Sequence, residues 1–151
     1  IMKISLGCDE AAYQLKETIK QHLQKAGHEV IDNGVGEGEV ELYPDVAVRT
    51  CKKVTDGTCD RGILVCGTGI GMAMTANKVP GIRAAVCHDP FSTERSVLSN
   101  DANVMCMGAR VIAPQLALYL LDIWMRLTFK NGPSTPKVER IMEYQKEFCG
   151  K

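Results

Sequence analysis

At 151 residues, with 45% hydrophobic and 24% charged side chains, the chain has the size and make-up of one ordinary globular domain. Lys and Arg together number 18, as do Asp and Glu, so the net charge is zero. That balance excludes the broadly basic surface that nucleic acid or an anionic membrane selects, though a small anionic ligand needs only a local pocket.

In chain order, Ile4–Leu6 reads as a first strand, and residues 11–25 follow with Leu15, Ile19 and Leu23 four apart, a helical stripe that Gly27 closes. Glu29–Ile31 is a second strand, and a polar, glycine-rich loop runs from Asp32 to Glu41. Pro44 suits the first turn of a helix reaching Thr55. Gly62–Cys66 is a continuous apolar run, the mark of a strand covered on both faces. A tight loop over Gly67–Gly71 leads into a short helix ending near Lys78. Ile82–Cys87 and Val104–Met107 are predicted as the fourth and fifth strands, with a helix over Phe91–Leu98 between them. Pro114 opens a long helix to Phe129, and Pro136–Phe148 forms the last.

Five strands alternating with helices predict an α/β domain, a three-layer Rossmann-like fold with a parallel sheet and helices on both faces, plus a C-terminal helix. The domain is expected to span residues 2–151, with Ile1 ahead of Met2 read as a cloning remnant. No apolar run is long enough for a membrane span, and the N-terminus lacks the basic-then-apolar layout of a signal peptide, so a cytoplasmic protein is expected. The seven cysteines are scattered, with no CxxC pair for zinc or redox work, and are expected to be reduced thiols.

Ligands in such sheets bind beyond the carboxyl ends of the strands. The strongest signal there is Cys66-Gly67-Thr68-Gly69-Ile70-Gly71. Alternate glycines let the backbone approach a ligand closely, and the following helix start offers unpaired N–H groups. A thiol beside a helix N-terminus has a favoured thiolate, so the loop combines a base with oxyanion donors; a buried cysteine before a tight turn is the competing reading. It is not a dinucleotide fingerprint, because Met72 stands where Gly or Ala is needed. Asp9, past the first strand, is the best carboxylate for proton shuttling, and it equally suits a helix N-cap. Asn100-Asp101-Ala102-Asn103 is a polar cluster that turn chemistry alone would explain. Arg110 can hold a phosphate bidentately or form a surface pair. His88 follows the fourth strand and titrates near neutrality, but has no evident partner; His22 and His28 read as surface and loop residues.

With Gly7-Cys8-Asp9, Tyr43-Pro44-Asp45, the Cys66 loop, Ala76-Asn77-Lys78, Gly81–Ala84, Asn100–Val104 and Gly108–Val111, nearly the whole chain resembles the type B ribose-5-phosphate isomerases and the related galactose-6-phosphate isomerase subunits. The resemblance implies an aldose–ketose isomerase of sugar phosphates, working without metal or cofactor through a cis-enediolate. Cys66 would carry the proton between C1 and C2, Thr68 and Asp9 would assist at the sugar hydroxyls, and backbone from Gly67 through Gly69, Ile70 and Gly71 would hold the enediolate oxygens with Asn100. It also implies substrate contacts at position 99, here Ser99, and at Arg110 and Lys137. A homodimer, or a tetramer built from it, would share each site between copies, Asn100 and the C-terminal elements coming from the partner.

The departures bear on the substrate. Where the ribose enzymes carry a histidine that reaches the phosphate, this chain has Glu10, and where they carry one credited with opening the furanose, it has Ser99. Their Gly-Gly-Arg-His segment is Asn131–Ser134, and Lys137 replaces an arginine without its fork geometry. Glu10 and His88 are therefore candidate specificity residues. A tetrose carrying phosphate on O4 cannot close a furanose, so it needs no ring-opening acid; the erythrose/erythrulose 4-phosphate pair is the expected alternative to ribose 5-phosphate. Other expectations are a galactose-6-phosphate isomerase-type subunit, or a non-catalytic relative that binds sugar phosphates.

Overall fold

A computed structural model describes residues 1–150. Its centre is a sheet of five parallel strands, β1 (Lys3–Cys8), β2 (Glu29–Asp32), β3 (Arg61–Cys66), β4 (Ala84–Val86) and β5 (Val104–Gly108). They lie in the order β2-β1-β3-β5-β4. The central strands β1, β3 and β5 are buried almost throughout, as continuous apolar runs require. The crossovers are α1 (Tyr13–Lys25), α2 (Tyr43–Thr55), α3 (Ile70–Ala76) and α4 (Pro90–Leu98), followed by α5 (Pro114–Arg126) and α6 (Thr135–Cys149). Helices α2 and α3 pack together on one face, and α1, α4 and α5 on the other, which is the expected three-layer arrangement. Among the described residues, no helix is long and apolar enough to cross a membrane.

Several boundaries differ from the sequence reading for identifiable reasons. The helix after β1 starts at Tyr13 rather than residue 11, because Asp9 caps a single 3-10 turn over Glu10–Ala12. Strand β4 is three residues rather than six, since the N–H of Ile82 donates to Val79 and that of Arg83 to the Asn103 side chain instead of a ladder. Helix α5 stops at Arg126 instead of Phe129, and Leu127 is extended. Arg61 holds that end: its guanidinium lies 4.9 Å from the Trp124 ring and donates to the carbonyls of Trp124 and Leu127 at 2.8 and 2.6 Å.

The core between the layers is filled by Ile4, Leu6, Ile63, Leu64, Met105 and Met107 from the strands, and by Leu23, Met72, Leu120 and Trp124 from the helices. The buried Lys16 ammonium ties α1 to the end of β2, 2.8 Å from Asp32 and 2.7 Å from Glu17. Beneath α2, Gly7 leaves no room for a side chain, since a Cβ there would stand 2.3 Å from Thr50 Oγ1, 3.0 Å from Val46 and 3.1 Å from Leu64. Gly7→Ala is therefore expected to cost about 1–3 kcal/mol by overpacking, read as a lowered urea midpoint. A midpoint equal to that of the parent would contradict this packing.

Candidate functional site

The strand order reverses between β1 and β3, and at such a switch point two neighbouring loops part to leave a crevice. Asp9 directly follows β1 and Cys66 ends β3, so both arrive at this crevice. The Cys66 side chain is mostly enclosed, the residue being 6% exposed, yet it opens on a cleft of about 400 Å³. Asp9, Gly67, Thr68, Ile70, Gly71 and Arg110 share that cleft with Tyr43 and Met74. A sulfur sealed in the packed interior would have ended any catalytic reading; this one faces a ligand-sized space.

The turn after Cys66 is held against β5 by backbone contact. The Gly69 N–H donates to Cys66 Sγ at 3.1 Å, a bond that becomes charge-assisted when the sulfur ionises. Gly69 has φ +78°, and a Cβ there would lie 2.9 Å from the Met107 carbonyl carbon. From the other side, a Cβ on Gly108 would stand 2.6 Å from the Thr68 backbone. The N–H groups of Ala109 and Arg110 then donate to the carbonyls of Cys66 and Gly67 at 2.8 and 3.0 Å. The side chain of Arg110 crosses over Gly67, near where a Cβ would be. Thr68 Oγ1 accepts from the Ile70 N–H at 3.2 Å, fixing the entry to α3. Gly71 leaves the Tyr43 ring its place, 2.5 Å from where a Cβ would sit.

The electrostatics separate Asp9 from an ordinary surface carboxylate. Burial and then the neighbouring Glu10 charge push its pKa up, against the Ala11 and Ala12 amides and the Arg110 charge. A carboxyl raised toward neutrality is a better partner for proton transfer. Burial pushes other thiols away from reactivity: Cys8 up to about 11, Cys51 up to about 12, and Cys59, Cys87 and Cys106 upward as well. A base at the end of β3, a carboxyl of raised pKa just after β1, a guanidinium after β5 and a backbone turn rich in N–H groups can together move a proton and hold an oxyanion. Among the described residues, no cluster of three or more His, Cys, Asp or Glu forms a metal site.

Of the residues singled out from the sequence, Asp9, Cys66, Gly67, Thr68, Ile70, Gly71 and Arg110 come together, with Gly69 directly beneath them. Others stand apart within the single chain. Glu10 is exposed and its Oε2 accepts from the Glu41 N–H at 3.5 Å, on the loop that Arg49 pins through Glu41 and the Asn33 carbonyl. Ser99 Oγ lies 3.3 Å from Arg95 Nη1. Asn100 lines a separate, more apolar groove of about 480 Å³ against Ile141, Tyr144 and Phe148 of α6, and Lys137 sits exposed in the first turn of that helix. His88 lies behind the cleft, its Nε2 accepting from the Gly108 N–H at 2.9 Å. Tyr43 and Met74 were not expected as site residues. Pro44 signalled the start of α2, but nothing in the sequence shows that a bare Gly71 lets Tyr43 face the cleft.

Residues 4–141 match the family described as Ribose/Galactose Isomerase. The chain is 51% identical over 142 residues to "Ribose-5-P isomerase B" of Listeria innocua, covering 94% of this chain and 96% of that protein. It is 48% identical over 146 residues to "D-erythrulose-4-phosphate isomerase" of Pectobacterium atrosepticum, covering 96% of each. Among solved structures, ribose-5-phosphate isomerase B of Clostridium thermocellum superposes with a TM-score of 0.95 at 44% identity, over 97% of this chain and 99% of that one.

Because the Glu10 charge helps raise the pKa of Asp9, Glu10→Gln is expected to lower it. Carbon-detected NMR titration of the Asp9 carboxyl checks this, and an unchanged or higher midpoint would show that Glu10 does not act on Asp9.

Proposed function

The chain belongs to the ribose/galactose isomerase family, and from that premise we propose that it interconverts an aldose phosphate and its ketose phosphate, with Cys66 carrying the proton between C1 and C2. The observation that carries this reading is Cys66 lining a cleft, its sulfur bonded by the Gly69 N–H. As thiolate, Cys66 removes the proton from the carbon beside the carbonyl, and the electrons move onto the carbonyl oxygen to form a cis-enediolate. N–H groups of the Gly67–Gly71 turn hold that oxygen, and the thiol returns the proton to the neighbouring carbon. Asp9, with its raised pKa, exchanges the proton between the two oxygens, while Thr68 orients them and Arg110 supplies positive charge at the cleft. One base contributes typically about 10²–10⁴-fold and one oxyanion donor about 10²–10³-fold.

The histidines favour an open-chain substrate. The chain has three. His22 pairs with Asp122 at 2.7 Å, His28 accepts from the Met2 N–H, and His88 accepts from Gly108, so each is engaged away from the cleft. Ser99, within reach of Arg95, has no group that titrates near neutrality to open a furanose. A tetrose 4-phosphate requires no such group, and the reading that fits best is an erythrose/erythrulose 4-phosphate isomerase. The same reading sets the enzyme in the cytoplasm, where its free thiols stay reduced.

The partner in this reading is a second copy. Helix α6 buries only Val138 of its 15 residues and leaves Ile141, Tyr144 and Phe148 exposed. The edge of the Cys66 cleft likewise exposes Ile70 and Met74. A homodimer that covers these faces would bring Asn100 and Lys137 of one copy to the cleft of the other.

Cys66→Ala is expected to reduce kcat by about 10²–10⁴-fold while the folded protein still gains thermal stability from sugar phosphate. Full retention of turnover would end the proton-carrier role. With purified enzyme, kcat/KM should be higher for erythrose 4-phosphate than for ribose 5-phosphate; the reverse ranking would make it a pentose phosphate enzyme. If the sites are shared, mixing inactive Cys66→Ala and Asn100→Ala chains should restore about a quarter of parental activity, because half the dimers then hold one intact site. No recovery after subunit exchange would mean that each chain carries its whole site.

A further inference from the structure

Strand β4 ends at Val86, and its last rung on β5 is the Cys87 N–H donating to the Cys106 carbonyl at 3.0 Å. Two residues along β5, the Gly108 N–H points to the same side of the strand. Had β4 continued, the Cys87 carbonyl would have accepted this N–H. The chain has turned away, and His88 Nε2 accepts it instead, at 2.9 Å. An imidazole thus fills a rung of the sheet, at a residue whose other face touches the catalytic turn.

Gly108 is the contact point between that rung and the chemistry. A Cβ on it would stand 2.6 Å from the Thr68 Cα and carbonyl carbon and 2.8 Å from the Gly67 carbonyl oxygen, so its backbone is the floor of the turn. Cys66 pairs with Gly108 in register across β3 and β5, and the next N–H, of Ala109, donates to the Cys66 carbonyl at 2.8 Å. A shift of Gly108 therefore moves the sulfur and the oxyanion donors together.

Resting on the isomerase reading above, we propose that His88 is a positioning residue: its neutral imidazole, through Nε2, fixes the Gly108 amide and thereby the height of the Gly67–Thr68 turn beneath the enediolate. An acceptor at Nε2 places the ring proton on Nδ1. Protonating Nε2 replaces the acceptor with a donor facing the Gly108 N–H, and the rung is lost. Burial favours the neutral form, opposed by the charge of the neighbouring Asp89. The Asp89 carboxylate is itself turned to the start of α4, accepting from the Ser92 N–H at 2.7 Å.

The test compares His88→Leu, which has no acceptor, with His88→Gln, whose Oε1 can reach the Nε2 position and does not titrate. With the tetrose phosphate as substrate, His88→Leu is expected to lower kcat about 10- to 100-fold, as misplacing reacting groups by a fraction of an ångström to an ångström does, with KM little changed. His88→Gln should recover most of that loss and flatten the acid limb that His88 contributes to the kcat profile. In the parent protein, the Gly108 amide resonance should shift with the midpoint of the His88 ring, a readout that needs no activity and no variant. Unchanged kcat in His88→Leu, or a Gly108 amide indifferent to the His88 titration, overturns the proposal. So does a His88→Gln enzyme that loses ribose 5-phosphate turnover as fully as His88→Leu while keeping the tetrose, since that is the signature of a ring-opening acid. Absence of isomerisation by the parent protein overturns the isomerase reading instead, and the Gly108 amide then still decides whether His88 holds the turn.

Discussion

Two backbones in contact, without side chains between them, hold this molecule's site together. Gly69 lies on Met107 and Gly108 lies on Thr68, each so close that a single methyl group would force the turn and the strand apart. Because the turn is seated on the end of β5, the Cys66 sulfur takes its position from the centre of the sheet. The N–H groups around it are correspondingly fixed before any ligand arrives, and that is the condition for oxyanion stabilisation to be inexpensive at the moment of reaction. The reaction proposed here would draw on a soft base, a carboxyl with a raised pKa and ordered dipoles.

Much of this arrangement was legible in the chain because it depends on local signals. The apolar run of β3 ending in Cys66, followed by glycines on alternate positions, marked both a buried central strand and the place where backbone could approach a ligand. Asp9 was readable both as a cap and as a reactive carboxyl, and it is the first while sitting where the second requires. The fold class followed from alternation alone. Strand β4 was drawn too long because Ile82 and Cys87 on either side of it are apolar, while the N–H groups of Ile82 and Arg83 go to a turn and to Asn103.

The rest depends on tertiary distances that no local pattern encodes. Tyr43 reaches the cleft only because Gly71, 28 positions later, has no side chain in its way. Glu10 stands where the ribose enzymes carry a phosphate-reaching histidine; its side chain turns to the amide of Glu41, on the loop that Arg49 secures. His88 had no partner visible in sequence because its partner is a main-chain N–H on another strand. Asn100 and Lys137 lie outside the cleft of their own chain, at distances that no local pattern encodes.

Helix α6 has a thermodynamic consequence of its own. With one buried residue in 15, it meets its own domain through Val138, the Gly81–Gln145 hydrogen bond and the approach of Arg83 to Met142. In the proposed dimer a second copy lies against its uncovered side, so its folding equilibrium would follow mass action rather than sequence alone. Dilution of such a dimer would loosen α6 well before the sheet melts, and the concentration of the protein would become one of the variables that set its shape.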